Sequence, residues 1–375
     1  MHDAIVIGGG IVGAATAYYL ARGGADTLLI DRPAVGRATD AGAGIISPET
    51  NSRDPGPWFD LAGAAAADYP TLIQDLADQD AGDTGFARVG LLLVAMDEQD
   101  AVAYDEAAAR IFARQRERGW PSNDDLREIT AEEAQRLFPL LAPVTRALYH
   151  RQAARLDGRL LTQALLQAAR KSGLGIQQVA VEGLAFSGRN VSGVMVEGQP
   201  IAARNVVIAG GAWSAAFGEA LGVSISVAPQ RGQIMHLGLP DTDTQGWPVV
   251  NSFRGHYMVP WPNRMVAGAT RETGSGFTPA ITAGGVAEAL REAMRVAPGL
   301  AQATVLETRV GLRPLSADGL PVLGPVPRVG GVYLATGHGP TGLTLGPFSG
   351  KLVAELILGR TPSADIAPFS IARFA

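Results

Sequence analysis

A chain of 375 residues with 47% apolar and 18% charged side chains is long enough for two domains and has the balance of a globular protein with a large core, which excludes extensive disorder. Its formal net charge of −5 offers no basic field for nucleic acid, so a small-molecule partner fits better. The absence of cysteine removes disulfides, thiolate metal sites, cysteine nucleophiles and thioether links to a cofactor.

The chain opens on AIVIGGGIVGAATAYYLARGGADTLLID, residues 4–31. AIVI suits a buried parallel strand, the following stretch has apolar residues at helical spacing and stops on Gly23 and Gly24, and TLLID reads as the next strand. This βαβ unit places the fold in the α/β class. Residues 4–21 are apolar enough to pass for a short membrane span, but the triple glycine and Asp31 argue against one. No basic segment or small-residue cleavage site precedes the first strand, so a cytoplasmic protein is expected.

A breaker-rich loop then leads to a helix over about residues 59–80, a strand at VGLLLVAM and a long polar-faced helix from about residue 97 to 119. Residues 155–173 read as another helix, and 175–198 alternate and turn like a small antiparallel ribbon. NVVIAGGAW repeats the opening theme of a buried strand running into glycines. From about residue 223 the strands become isolated and β-rich, a helix lies near GGVAEALREAMRVA, and residues 331–360 close the chain as strand, loop and helix. Nucleotide-binding character thus appears at the start, middle and end. The expected architecture is a Rossmann-like dinucleotide-binding domain (1–85, 150–221 and 306–375) interleaved with an α+β substrate domain on a mainly antiparallel sheet (86–149 and 222–305).

Gly8, Gly10 and Gly13 form G-x-G-x-x-G after a strand and at the start of a helix, and Asp31 ends the second strand. Gly8 permits the tight turn, Gly10 lets a pyrophosphate approach the backbone, and Gly13 lets helix and strand pack closely. The helix N-terminus offers free N–H groups to phosphates, and Asp31 can accept ribose hydroxyls. A dinucleotide is implied; the fingerprint alone does not choose between nicotinamide and flavin.

GRATDAGAGIISP, NVVIAGGAWS, PQRGQI, YMVPWPNRMVAGAT, GLRPLSADGLPVLGP and ATGHGPTGLTLGPFSGKLVAELILGR follow in that order. Together they resemble, from end to end, the FAD-dependent amine oxidoreductases that include D-amino acid dehydrogenase, glycine oxidase and sarcosine oxidase. The resemblance implies that FAD is held by Gly8, Gly10, Ile11, Gly13, Asp31 and Arg32, then by Arg37, Ala38, Thr39, Ala43, Gly44 and Ile45. It extends the set to Val181, Ala209, Gly210 and Trp213, and to Gly339, Pro340, Thr341, Gly342, Leu343 and Thr344. Relatives that tether the flavin use a cysteine, absent here, or a histidine shortly after the first βαβ unit; none of the five histidines lies between Asp31 and Tyr149, so noncovalent FAD is expected.

In this family an arginine in the GLRP segment binds the substrate carboxylate and a tyrosine before VP assists, which points to Arg313 and Tyr257. A planar guanidinium fork matches a carboxylate and keeps its charge. Arg313 can instead be an ion-pairing arginine, and Tyr257 a core residue. His256 is set aside as a base because neighbouring strand residues face opposite ways. His338, in the flavin loop, fits a structural role better than proton transfer.

Where glycine oxidase has a second arginine in this loop, Pro340 and Thr341 stand here. That difference, with TGHG and GIISP, leans towards D-amino acid dehydrogenases. The implied reaction is oxidation of a D-amino acid, or a related secondary or imino amino acid, to an imine that hydrolyses to the 2-oxo acid. The alternatives are a glycine or sarcosine-type oxidase, or a flavoprotein subunit of a heteromeric amine dehydrogenase. Only Lys171 and Lys351 exist, and neither falls where sarcosine oxidases place an oxygen-activating lysine. The electron acceptor (quinone, dye-like acceptor or oxygen), homo-oligomerisation and peripheral membrane attachment stay open.

Overall fold

The computed structural model describes residues 1–375. Its first sheet is centred on the opening strand His2–Ile7, whose apolar run from Ala4 to Ile7 is buried. Gln199–Ile208 and Thr27–Ile30 flank it in parallel, and Gly175–Gln177 and Val332–Thr336 extend the parallel part on either side. The ribbon expected over 175–198 is real but begins later. Gly175–Gln177 joins the parallel sheet, and the antiparallel strands are Gly183–Ser187, Asn190–Val196 and Gln199–Ile208.

Two helices pack side by side on this sheet. The opening helix, Ile11–Arg22, is rich in small residues, and the closing helix, Gly342–Ile357, meets it through Gly346 and Gly350. A Cβ on Gly350 would lie 2.7 Å from the Thr16 amide nitrogen and 2.9 Å from the Val12 carbonyl oxygen, so glycine is what permits the close approach. Gly13 does the same for helix and strand: its Cβ would fall 1.9 Å from the carbonyl oxygen of Gly8. Both helix N-termini are thereby brought to one end of the sheet.

The second sheet has nine strands and is mainly antiparallel, with one parallel neighbour pair, Val249–Ser252 beside Leu91–Ala95. Its spine is Val227–Gly238, paired antiparallel with Arg264–Gly268 on one side and with the long strand Thr304–Ser316 on the other. Alternation along the spine sends Met235 and Leu237 towards the helix Ala283–Val296, while Ile234 joins the opposite cluster, which includes Tyr104 and Ile111 of the helix Glu98–Arg118. The strands of the first sheet fall within 1–85, 150–221 and 306–375, whereas Thr304–Ser316 runs across residue 306 and pairs in the second sheet. No helix is long and apolar enough to cross a membrane, including the stretch at residues 4–21.

Candidate active site

One cavity of about 530 Å3 runs between the first sheet, the two helix N-termini and the edge of the second sheet. It is lined by every residue expected to hold FAD except Gly13 and Thr341. Gly13 lies behind the wall, at the helix–strand contact already described. Thr341 is turned into its own turn, where both its amide and its hydroxyl donate to the His338 carbonyl, at 3.1 and 2.9 Å. These two residues shape the wall from behind it.

At one end, Gly8 (φ 105°) takes the tight turn, and a Cβ there would meet the Ala209 carbonyl oxygen at 2.5 Å. A Cβ on Gly10 would meet only Thr39 Oγ1, at 3.2 Å, so this glycine opens towards the cavity. The opening helix has no side-chain cap at Gly10, and Thr39 Oγ1 accepts the Ile11 amide at 3.0 Å. Asp31 forms an ion pair with Arg37, whose Nη2 also donates to the Arg32 carbonyl at 2.9 Å. Burial raises the Asp31 pKa, and the Arg37 charge opposes that rise. The Arg32 guanidinium sits 5.6 Å from the Trp213 ring centroid, giving this end a flat face beside the carboxylate.

At the other end the closing helix begins without a side-chain cap, presenting Gly342, Leu343 and Thr344. Tyr69 donates its hydroxyl to the Leu343 carbonyl, and Thr344 donates to the Ile45 carbonyl at 3.1 Å. His338 is buried with Nε2 3.0 Å from Ser349 Oγ and with no partner at Nδ1. Burial pushes its pKa down to about 4, so it is neutral near pH 7 and a weak base. That supports the structural reading of His338 over proton abstraction. His256 faces away, with Nε2 3.3 Å from a Glu288 carboxylate oxygen on the helix behind the sheet.

Arg313 and Tyr257 meet on the cavity wall although 56 residues apart. Arg313 stands on Thr304–Ser316 and donates from Nη1 to the Thr270 carbonyl at 2.8 Å. Tyr257 begins the strand Tyr257–Trp261, and its phenol interacts with the Arg313 guanidinium. Desolvation lowers the Arg313 pKa and raises that of Tyr257, so the pair is a half-buried cation beside a neutral hydroxyl. Arg313 has no carboxylate partner in the protein, which disposes of the ion-pairing alternative. A guanidinium so placed can accept an anion from outside the protein.

Two further residues complete this end. Gly232, opposite Gly311 in the strand pair, lies beneath the Arg313 guanidinium, and Arg271 lines the same part of the cavity. A glycine inside the strand-like PQRGQI is a signal of close approach that can be read from sequence. Arg271 follows directly on the quoted GAT and carries no comparable sign.

The glycine turn, the uncapped helix starts and the acid beside Trp213 fit a dinucleotide with a flavin at the far end. Residues 3–356 match the DAO family, FAD dependent oxidoreductase. The chain belongs to that family. It is 40% identical to YurR, an uncharacterised oxidoreductase of Bacillus subtilis (strain 168), over 98% of both chains. Among solved structures it resembles iminodiacetate oxidase from Chelativorans sp. BNC1, with a TM-score of 0.92 and 39% identity over 98% of each chain. It also resembles glycine oxidase from Geobacillus kaustophilus, with a TM-score of 0.89 and 30% identity over 99% of this chain and 98% of the other. This DAO-family chain is therefore an FAD-dependent oxidoreductase acting on amino acid-like amines.

Proposed function

We propose that the protein oxidises a small α-amino acid, glycine or an N-substituted glycine, to an imine that water hydrolyses. The observation that carries this reading is the unpaired Arg313 beside Tyr257 at the flavin end of the cavity. Bound FAD would supply the two-electron acceptor for this oxidation, held by the residues that line the cavity. Arg313 holds the substrate carboxylate in bidentate fashion, and Tyr257 donates its hydroxyl to the same group. Their fixed positions orient the Cα–H bond. The uncapped N-terminus of the closing helix would offer positive potential to a flavin bound in the cavity. No protein base is needed, because a neutral amine carries its own lone pair, and His338 keeps its neutral form to hold the turn.

The resemblance to a glycine oxidase and to an iminodiacetate oxidase supports glycine-type substrates ahead of D-amino acids with large side chains. The test is anaerobic mixing of the flavin-loaded protein with glycine, N-methylglycine, D-alanine and D-proline, followed at the flavin absorbance. Glycine or N-methylglycine should bleach the flavin fastest. Bleaching by D-alanine or D-proline alone would restore the D-amino acid reading, and bleaching by none would overturn the function. In Arg313→Ala, kcat/KM should fall by about 2–4 kcal/mol in transition-state free energy.

A further inference from the structure

The nucleotide end of the cavity is crossed from outside by a segment of the second sheet, residues 274–281. Both ends of this segment are fixed on the spine Val227–Gly238. Before it, Glu272 and Thr273 pair with Arg231 and Gln230, and Arg231 Nε lies 2.9 Å from Glu272 Oε2. After it, Gln233 Nε2 donates to Thr282 Oγ1 at 2.9 Å, and Gln233 Oε1 accepts the Thr282 amide at 2.9 Å. Between these anchors the chain turns at Gly274 (φ 79°) and Gly276 (φ 64°), where an added Cβ would stand in open space. Arg231 Nη1 steadies the far side of the turn, donating to the Thr278 carbonyl at 3.3 Å.

The middle of the segment reaches the loops of the first sheet. The Phe277 ring lies 5.7 Å from that of Trp213, centroid to centroid, with their planes 34° apart. Pro279 packs on Gly36 (φ 88°), where an added Cβ would come within 2.7 Å of the Pro279 Cβ. Trp213 lines the cavity, as do Ala34 and Arg37, which bracket Gly36, whereas Phe277 and Pro279 stand outside its wall. Phe277 is 49% exposed, so core burial does not explain an aromatic side chain there. What its ring does cover is Trp213, which also meets the Arg32 guanidinium.

We propose that residues 274–281 are a clasp over the nucleotide end of bound FAD, with Phe277 as a positioning residue that holds Trp213 in the cavity wall. The second sheet thereby fastens a cofactor whose neighbours at this end otherwise belong to loops of the first. Exchange of the cofactor requires the middle of the segment to swing off Trp213 about the two glycines while the anchors on the spine stay in place. Because the clasp acts on the cofactor, its test does not depend on which substrate is oxidised.

The test is the rate at which FAD leaves the loaded protein after dilution, read by ultrafiltration of the free flavin at intervals. Phe277→Ala should release FAD about tenfold faster than the parent, the upper value for losing one aromatic pair. Phe277→Tyr keeps the ring and should release it at the parental rate. The melting midpoint of the Phe277→Ala apoprotein should stay near that of the parent apoprotein, because the ring is half exposed. In the parent, chymotrypsin should cut after Phe277 more slowly with FAD bound than without it, since a closed clasp resists the local opening that a protease needs. Parental FAD release in Phe277→Ala, or equal cleavage of the loaded and empty protein, overturns the clasp. So does equally fast release from Phe277→Tyr, or a matching drop in apoprotein melting, either of which would mark a structural residue.

Discussion

Replacing Gly232 by alanine should move the Arg313 guanidinium without removing it. The added Cβ would lie 2.5 Å from Cζ and Nη2 and 2.6 Å from Nη1. Ordinary carbon contacts are about 3.5 Å or longer, so the head group must shift by about 1 Å. The atoms in the way are the end of a flexible side chain, and the backbone at Gly232 has a φ that any residue adopts. Folding should therefore be little affected, and the loss of glycine's freedom in the unfolded chain offsets part of any strain, by up to about 1 kcal/mol.

A clamp displaced by about 1 Å costs roughly a hundredfold in rate, or about 3 kcal/mol. The assay is kcat/KM for glycine and N-methylglycine, with FAD content and thermal midpoint measured on the same preparation. Benzylamine, which lacks a carboxylate, serves as the control and should lose far less of whatever turnover it shows. Parental kcat/KM with a full complement of FAD would refute the placement of the clamp.

Two glycines of the fingerprint should fail in different ways. Gly10→Val should fold and lose FAD, whereas Gly13→Val should lose thermal stability even without FAD, because its Cβ strikes the Gly8 carbonyl; comparing apoprotein melting with flavin content separates them. Acid precipitation should release intact FAD into the supernatant, and flavin remaining with the protein would show a covalent link. Burial lowers the pKa of His150 and His338 to about 4 from a usual 6.5, so the unfolded chain binds more protons between these values. Stability is then full above about pH 6.5 and falls as the pH drops towards 4, by about 3 kcal/mol for each histidine; urea unfolding over that range should show a shallower slope in His338→Gln.

The nucleotide end of the site was largely legible because its signals are local. A β-branched run, three glycines, a helix of small residues and an acid occur within 28 residues, and each restricts the backbone on its own. The other end was less so. The strand Thr304–Ser316 was not anticipated as one element, since Thr304 to Glu307 are exposed and show no alternating burial; it forms by pairing along Val227–Gly238. Arg271 is placed by the Gly255 carbonyl it bonds, a neighbour defined by the sheet corner. The turn at Thr341 was illegible for a related reason: a loop sequence does not say which hydroxyl turns back on its own carbonyls.

The strand that bears Arg313 is tied by its main chain to both cofactor-side loops. The Leu312 amide donates to the Gly36 carbonyl at 2.8 Å, and Leu315 bridges to His338. The spacing between the main chain at Arg313 and the loops proposed to hold the flavin is therefore set by backbone pairing, leaving only the flexible arginine side chain to adjust. A substrate can differ in what it carries away from its α-carbon, but not in how far that carbon stands from its carboxylate. Divergence of specificity on this scaffold accordingly falls to residues at the rim, where one side chain can change without disturbing the gap in which the bond is broken.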